Sequence, residues 1–345
     1  MNPVFIKKIR FLGLCLGILS LLFGGFWTFT VFQAKKSIEQ KVQSLKEQGH
    51  KIQYEALKID QFFPTITLKV TNFVFDNILI SNNEPFSLKI DTLLLSFSPF
   101  SPKKIKGQLP SLTGHLSKES QDIILGPSSF EINLSQDDFY AMGTSDFINI
   151  QTPKTSLAHL EDLYISITPH TLVVKNDEGS YETPGLNITC SLKKLSLNQP
   201  SQNEEPDVEN MSFSSFLMEK VDFTDFPKES LKTLLTHWRD QGGALDIQQA
   251  KMSWGALTIS FQGTLALDET LNPEGSFTST VKGIPEFLKQ LSQNQAYSKQ
   301  DRLFLELSLG FLSGTSGEIT LPLTLQNQTL RLGNFINLNL PSLPW

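Results

Sequence analysis

Five histidines are the residues with most chemical potential in this sequence: His50, His115, His159, His170 and His237. None lies three to five positions from another, and neither HExxH nor HxxEH occurs, so the spacing offers no zinc site. His159-Leu160-Glu161 matches half of a zinc-deaminase motif, but no PCxxC follows it. The expected roles are structural or solvated ones. Nucleophile patterns are equally thin. SPKK at 101–104 and SLKK at 191–194 satisfy SxxK, yet both lie in polar loop or strand contexts rather than at a helix start. GTSG at 314–317 is one residue short of GxSxG and reads as a turn. No GxxxxGK[ST] and no dinucleotide fingerprint is present. The acidic pairs Asp137-Asp138 and Glu204-Glu205 read as solvated turns, although carboxylates on separate strands can meet in space. The expectation is no catalytic, cofactor-binding or metal-binding residue, and no enzyme.

The totals point the same way. The chain has 345 residues, with 35 acidic against 29 basic residues and a net charge of −6. No stripe of Lys and Arg exists to displace counterions, which argues against nucleic acid as a partner. There are 26 Phe residues against five His and two Cys, a profile that suits a β-rich core better than a redox site. Cys15 lies in an apolar N-terminal run and Cys190 in a polar β-like segment, so an internal disulfide is geometrically implausible. Cysteine usage leaves the compartment open, cytosolic or periplasmic.

What must carry the chain is clearer than what it reacts with. Residues 11–32 form a 22-residue run without a charge, FLGLCLGILSLLFGGFWTFTVF. A helix of that length spans roughly 33 Å, enough for a bilayer core of about 30 Å. The run is too long for the apolar region of a cleaved signal peptide, and Phe32 is too bulky for a cleavage site ending at Ala34. Residues 1–10 are then expected to be cytoplasmic, 11–32 a single transmembrane helix in the inner membrane, and the body periplasmic. Basic residues flank both ends, so the charge argument for this orientation is nearly balanced.

Beyond the anchor, Ile38, Val42 and Leu45 mark a short amphipathic helix that continues the span and ends near Gly49. The period then changes to two. Runs such as 85–97, 129–134, 147–150, 163–169, 170–176 and 187–197 read as antiparallel strands separated by Asn, Asp, Gly and Pro. NQPSQNEEPDVEN at 198–210 reads as a linker or exposed loop between a first half, 33–197, and a second, 211–345. The second half opens with a helix whose stripe is Leu231, Leu234, Leu235 and Trp238. Further helices are expected over 285–295 and 299–311, and Pro322 suggests an edge strand.

KEQG at 46–49 falls on RDQG at 239–242 when the chain slides by 193 positions. In the same register Ile52 meets Leu245, Tyr54 meets Ile247, Ile66 meets Ile259 and Leu68 meets Phe261. The expectation is an internal duplication of one unit, a helix followed by a β-meander.

WRDQGG, WGALTISFQGTLALDETLNPEGSF, GEITLPLTLQNQTLRLG and the final LPSLP resemble the domain of unknown function 2125 family. The first half is similar more loosely: the family's Gly-Phe-Pro step reads Gln61-Phe62-Phe63-Pro64 here. The resemblance implies a membrane-anchored envelope protein of Gram-negative bacteria with its body in the periplasm, and it supplies no catalytic residue. The helix-then-meander layout is also similar at the fold level to AsmA-like envelope proteins.

The expected fold is therefore α+β, mainly antiparallel β-sheet with flanking amphipathic helices and one N-terminal transmembrane helix. The expected partners are membrane lipids and envelope proteins. Three functions stay open: an apolar β surface holding lipid or another hydrophobic envelope component, a scaffold or assembly factor for a membrane complex, and an unrecognised hydrolase.

Overall fold

The computed structural model describes residues 3–47, 51–61, 65–79, 85–116, 120–135, 139–153, 155–176, 179–197, 207–219, 231–293, 318–332 and 336–339. The long helix α1 (Pro3–Glu47) joins the charge-free run to the amphipathic segment without a break, as expected. Its side chains are described from Gly24 onward. Among the residues so described, no helix is long and apolar enough to cross a membrane, and 11–23 lie outside that part.

All described strands pair antiparallel in one sheet. β1 (Lys51–Gln53) and β2 (Ala56–Gln61) lie end to end against β3 (Ile66–Leu79), which pairs with β4 (Pro85–Ser98). β5 (Ser101–Leu109) and β6 (Leu112–Leu116) together line β4. β7 (Gln121–Leu125) and β8 (Ser128–Asn133) return along them to meet β9 (Tyr140–Gln151). From there each strand pairs with the next: β10 (Ser156–Asn176), β11 (Gly179–Leu197), β12 (Val208–Met218), β13 (Ala244–Trp254), β14 (Leu257–Leu267), β15 (Pro273–Lys282), β16 (Glu318–Gln326), β17 (Thr329–Leu332) and β18 (Ile336–Asn339). The sheet is thus a meander whose rows follow chain order, the topology that needs only hairpin connections.

Several expectations shift in detail. β11 and β12 are hydrogen-bonded neighbours, and β12 starts at Val208, inside the 198–210 segment expected to be a loop. Val208 pairs with Leu195 and Trp254, and that apolar contact draws the end of the segment into the sheet. The stretches 163–169 and 170–176 are parts of one strand, β10. Pro322 is not on a free edge: β16 pairs with β15 and, over Leu323–Gln326, with β17. The ladder with β17 stops one residue short of Pro322, where a missing amide proton costs nothing. α2 (Leu231–Asp240) and α3 (Ile284–Gln293) match two expected helices, and 299–311 lies outside the described residues. The two units of the 193-residue correspondence sit differently in the sheet: among the described strands, β1 and β2 pair only with β3, whereas β13 lies between β12 and β14. Their hairpins differ in register, Leu57 pairing with Val70 but Ala250 with Phe261.

Three apolar clusters hold the ends of the sheet. Trp27 and Val31 of α1 pack on Leu57, Ile66, Leu68 and Val70. Ile284 and Phe287 of α3 pack with Leu257 and Ile319. Ile247, Ala250, Phe277 and Leu325 form the third.

Candidate apolar binding face

Directly paired residues in neighbouring strands point to the same face of a sheet. Following the pairs from Ile66 gives one ladder: Phe97, Ile105, Ile132, Ala141, Ile167, Ile188, Ser215, Ile247, Gly263, Phe277 and Leu323. It crosses twelve strands, about 50 Å at ~4.8 Å per strand, and Ser215 is its only member with a polar side chain. A second ladder runs Phe73, Ile90, Leu112, Leu125, Ile148, Leu160, Leu195, Val208, Trp254 and Leu257, apolar throughout.

Both ladders lie on one face, because Phe73 and Phe97 pack on the same cluster under α1. Yet in every row from β3 to β13 their members stand seven positions apart, as Ile66 and Phe73 do in β3 and Leu160 and Ile167 in β10. An odd spacing would put them on opposite faces of a regular strand. Each row compensates with an irregularity between the ladders, and its residue is exposed: Asn72, Asp91, Pro110, Pro127, Asp146, Asp162, Lys193 and Asn210 in successive rows, then Gln248 and Gln249. Asn72, Asp162 and Asn210 adopt left-handed φ of 48°, 52° and 51°, a region that Asn and Asp tolerate best after Gly. Together these positions form a crease across the sheet that keeps the apolar side chains of both ladders on one side.

Burial along the ladders is uneven. Ile66, Ile90, Ser215, Ile247, Leu257 and Phe277 are buried at the two ends. Ile105, Leu112, Leu125, Ile132, Ile148, Leu160, Ile167, Ile188 and Leu195 between them are only half-buried, and Ile165 on the same face is exposed. Among the described residues α1 covers the first rows and α3 rows near the end, and no described helix covers the central ones. The Phe130 ring lies across Gly107 there, filling the space a side chain at 107 would take.

The opposite face is polar. Ser214, Gln248, Ser260, Gln262, Thr278 and Thr280 line an open depression of about 400 Å³. A smaller one, about 270 Å³, adjoins Glu131. Lys106 Nζ lies 2.9 Å from the Glu131 carboxylate and the Tyr140 hydroxyl donates to it at 2.6 Å. These two hydrogen bonds, Lys106's first, hold the Glu131 carboxyl below the ordinary glutamate range. An already occupied, low-pKa carboxylate is a poor proton carrier at neutral pH.

The histidines stay apart. His115 Nδ1 sits 2.7 Å from Asp122, His159 bonds Asn149 and lies 3.4 Å from Glu161, and His170 meets the Phe216 ring edge-on. His237 is exposed on α2, and His50 lies outside the described residues. Among the described residues no group of three or more His, Cys, Asp and Glu could hold a metal ion. SPKK opens β5 and SLKK lies within β11, while 314–317, Asp137-Asp138 and Glu204-Glu205 lie outside the described residues. Burial pushes the Cys190 thiol up, away from the reactive thiolate.

A family described as uncharacterized protein conserved in bacteria, DUF2125, matches residues 27–340. The chain belongs to that family. The DUF2125 match begins at Trp27, the residue through which α1 seals the first rows, and takes in every described strand. No curated protein and no solved structure matches the chain, and these comparisons add nothing to the AsmA-like likeness of layout. Sequence reasoning missed the two ladders of this DUF2125 member. Their signal was present as apolar pairs seven apart, recurring row after row.

Proposed function

We propose that this DUF2125 protein is a single-pass envelope protein, N-terminus cytoplasmic and body periplasmic. It holds the acyl chains of lipid, or another hydrophobic envelope component, on the central rows of its apolar face and catalyses no reaction. The observation that carries this reading is the pair of apolar ladders, sealed by packing at both ends and only half-buried over β5–β11. An apolar face of that extent rarely stays open to water unless it binds something. The occupant is argued from continuity: the same face begins under α1, whose charge-free run 11–32 has the length of a bilayer span. Lipid drawn from the bilayer along that helix reaches the open central rows past the rows that α1 seals. The matching helix–glycine–strand units at 46–61 and 239–254 favour growth of this sheet by duplication.

The test is organic extraction of the full chain, purified in mild detergent, followed by mass spectrometry of what dissolves. Co-purified lipid is expected, and Ile165→Asp with Ile167→Asp is expected to lower it several-fold in a chain that still unfolds cooperatively. A wild-type chain free of lipid, with a protein crosslinked to the same rows in cells, would replace this reading with the scaffold one.

A further inference from the structure

Ten large hydrophobic side chains are exposed among the described residues, and six of them gather at one edge of the sheet. Phe26, Phe29 and Phe32 lie on α1, Ile59 near the end of β2, Phe100 in the β4–β5 turn, and Leu134 just after β8. The Phe100 ring stands edge-on to Trp27 at 5.8 Å and tilted against Phe26 at 6.3 Å. Leu134 N donates to the Lys103 carbonyl at 2.9 Å, which fixes it beside the same turn. α1 runs past this edge toward its N-terminus, so the edge faces whatever surrounds residues 11–26.

We propose that this edge is immersed in the bilayer that holds α1, with Phe100 below the headgroups and Lys103 and Lys104 at their level. The inference rests on the reading of 11–32 as a membrane span and adds the depth and orientation of the sheet. Phe100 is level with Phe26 and Trp27, five to six residues before the charge-free run ends at Phe32. At ~1.5 Å per helical residue that places it about 8–9 Å inside the run's end. The lysines give an independent check. Lys35 follows Trp27 by eight helical residues, about 12 Å. Lys104 follows Phe100 by four strand residues, about 13 Å at ~3.3 Å each. Two unrelated elements therefore carry aromatic rings at one level and ammonium groups at another, the pattern of an interface between hydrocarbon and anionic headgroups. A protein partner covering this edge would have to match the end of a lipid-facing helix as well, which the bilayer does without further assumption.

The test uses the full chain carrying Cys15→Ser and Cys190→Ser in vesicles of phosphatidylcholine and phosphatidylglycerol. A nitroxide is attached at Phe100→Cys, at Leu134→Cys, or at Thr155→Cys on the opposite edge of the sheet. Collision with oxygen relative to a water-soluble nickel chelate is expected to be several-fold higher at 100 and 134 than at 155. Equal nickel access at all three sites, in a chain that still resists carbonate extraction, overturns the inference and leaves the anchor standing. Release of the chain by carbonate overturns the anchor itself, and the inference with it.

Discussion

The Arg239 guanidinium on α2 donates to the Asp268 carbonyl at 3.2 Å and to the Glu269 carbonyl at 2.8 Å, tying the helix to the β14–β15 turn. The turn is built by Asp268 itself, whose Oδ1 accepts from Thr270 N at 2.8 Å, Thr270 Oγ1 at 2.7 Å and Asn272 N at 2.8 Å. This scaffold holds Leu271 buried at a φ of 62°, a conformation that side chains other than Gly, Asn and Asp seldom adopt. Asp268→Ala removes all three acceptor contacts. A loss of about 1–3 kcal/mol is expected, read as a lower unfolding midpoint of the detergent-solubilised chain.

The same carboxylate makes the turn acid-sensitive. Burial pushes its pKa upward, but the hydrogen bonds from the Thr270 hydroxyl and the Asn272 and Thr270 amides together outweigh it and hold it below the ordinary aspartate range. A carboxylate depressed in the folded state contributes stability above its unfolded pKa, and that contribution disappears as pH falls through the folded value. Asp268→Asn is therefore expected to lower the midpoint at neutral pH and to flatten its decline on acidification. An acid limb as steep as that of the unaltered chain would show that Asp268 does not titrate with folding.

Ser215 interrupts the first apolar ladder between Ile188 and Ile247. It is fully buried and its hydroxyl has no hydrogen-bond partner among the described residues. An unsatisfied buried hydroxyl costs about 1–3 kcal/mol. Ser215→Ala deletes the hydroxyl while leaving a space no larger than one atom, so stabilisation of about 1 kcal/mol is expected. A lower midpoint in thermal unfolding would mean that the hydroxyl has a partner after all.

The antiparallel class and the helices at 231–240 and 284–293 were legible because alternation and amphipathic stripes are local signals. Strand length was not. Leu160-Glu161-Asp162-Leu163 breaks the alternation and reads as a strand end, whereas Asp162 is a left-handed residue inside β10. Prolines misled in the same way. Pro169 and Pro184 lie within long strands, each just beyond the last pair of one neighbour: β9 ends its pairing at Ile167 and β12 at Gly185. A residue without an amide proton is harmless there, and only the neighbour's length, a non-local fact, reveals it. The binding face was hidden for the same reason, since its ladders exist only once the register of a dozen strands is set.

Asp162 gives the sharpest test of the crease. Its left-handed φ of 52° is a conformation open to glycine, so Asp162→Gly is expected to change stability by less than about 1 kcal/mol, even with the 3.1 Å contact to Lys193 lost. Asp162→Val places a β-branched residue in the same conformation and is expected to cost about 1–3 kcal/mol. Deleting Asp162 is a different perturbation. It leaves Leu163 following Glu161, so Leu160 and Ile167 stand six positions apart, the spacing that keeps both on one face of a regular strand. The neighbouring rows keep their own extra residues across from the deletion, Asp146 in β9 and Lys193 in β11. The deletion is therefore expected to leave the chain folded, with amide-exchange protection lost only near 145–147 and 191–194. Loss of protection over the whole of β9 and β10 would show that Asp162 does not compensate the odd spacing of the ladders.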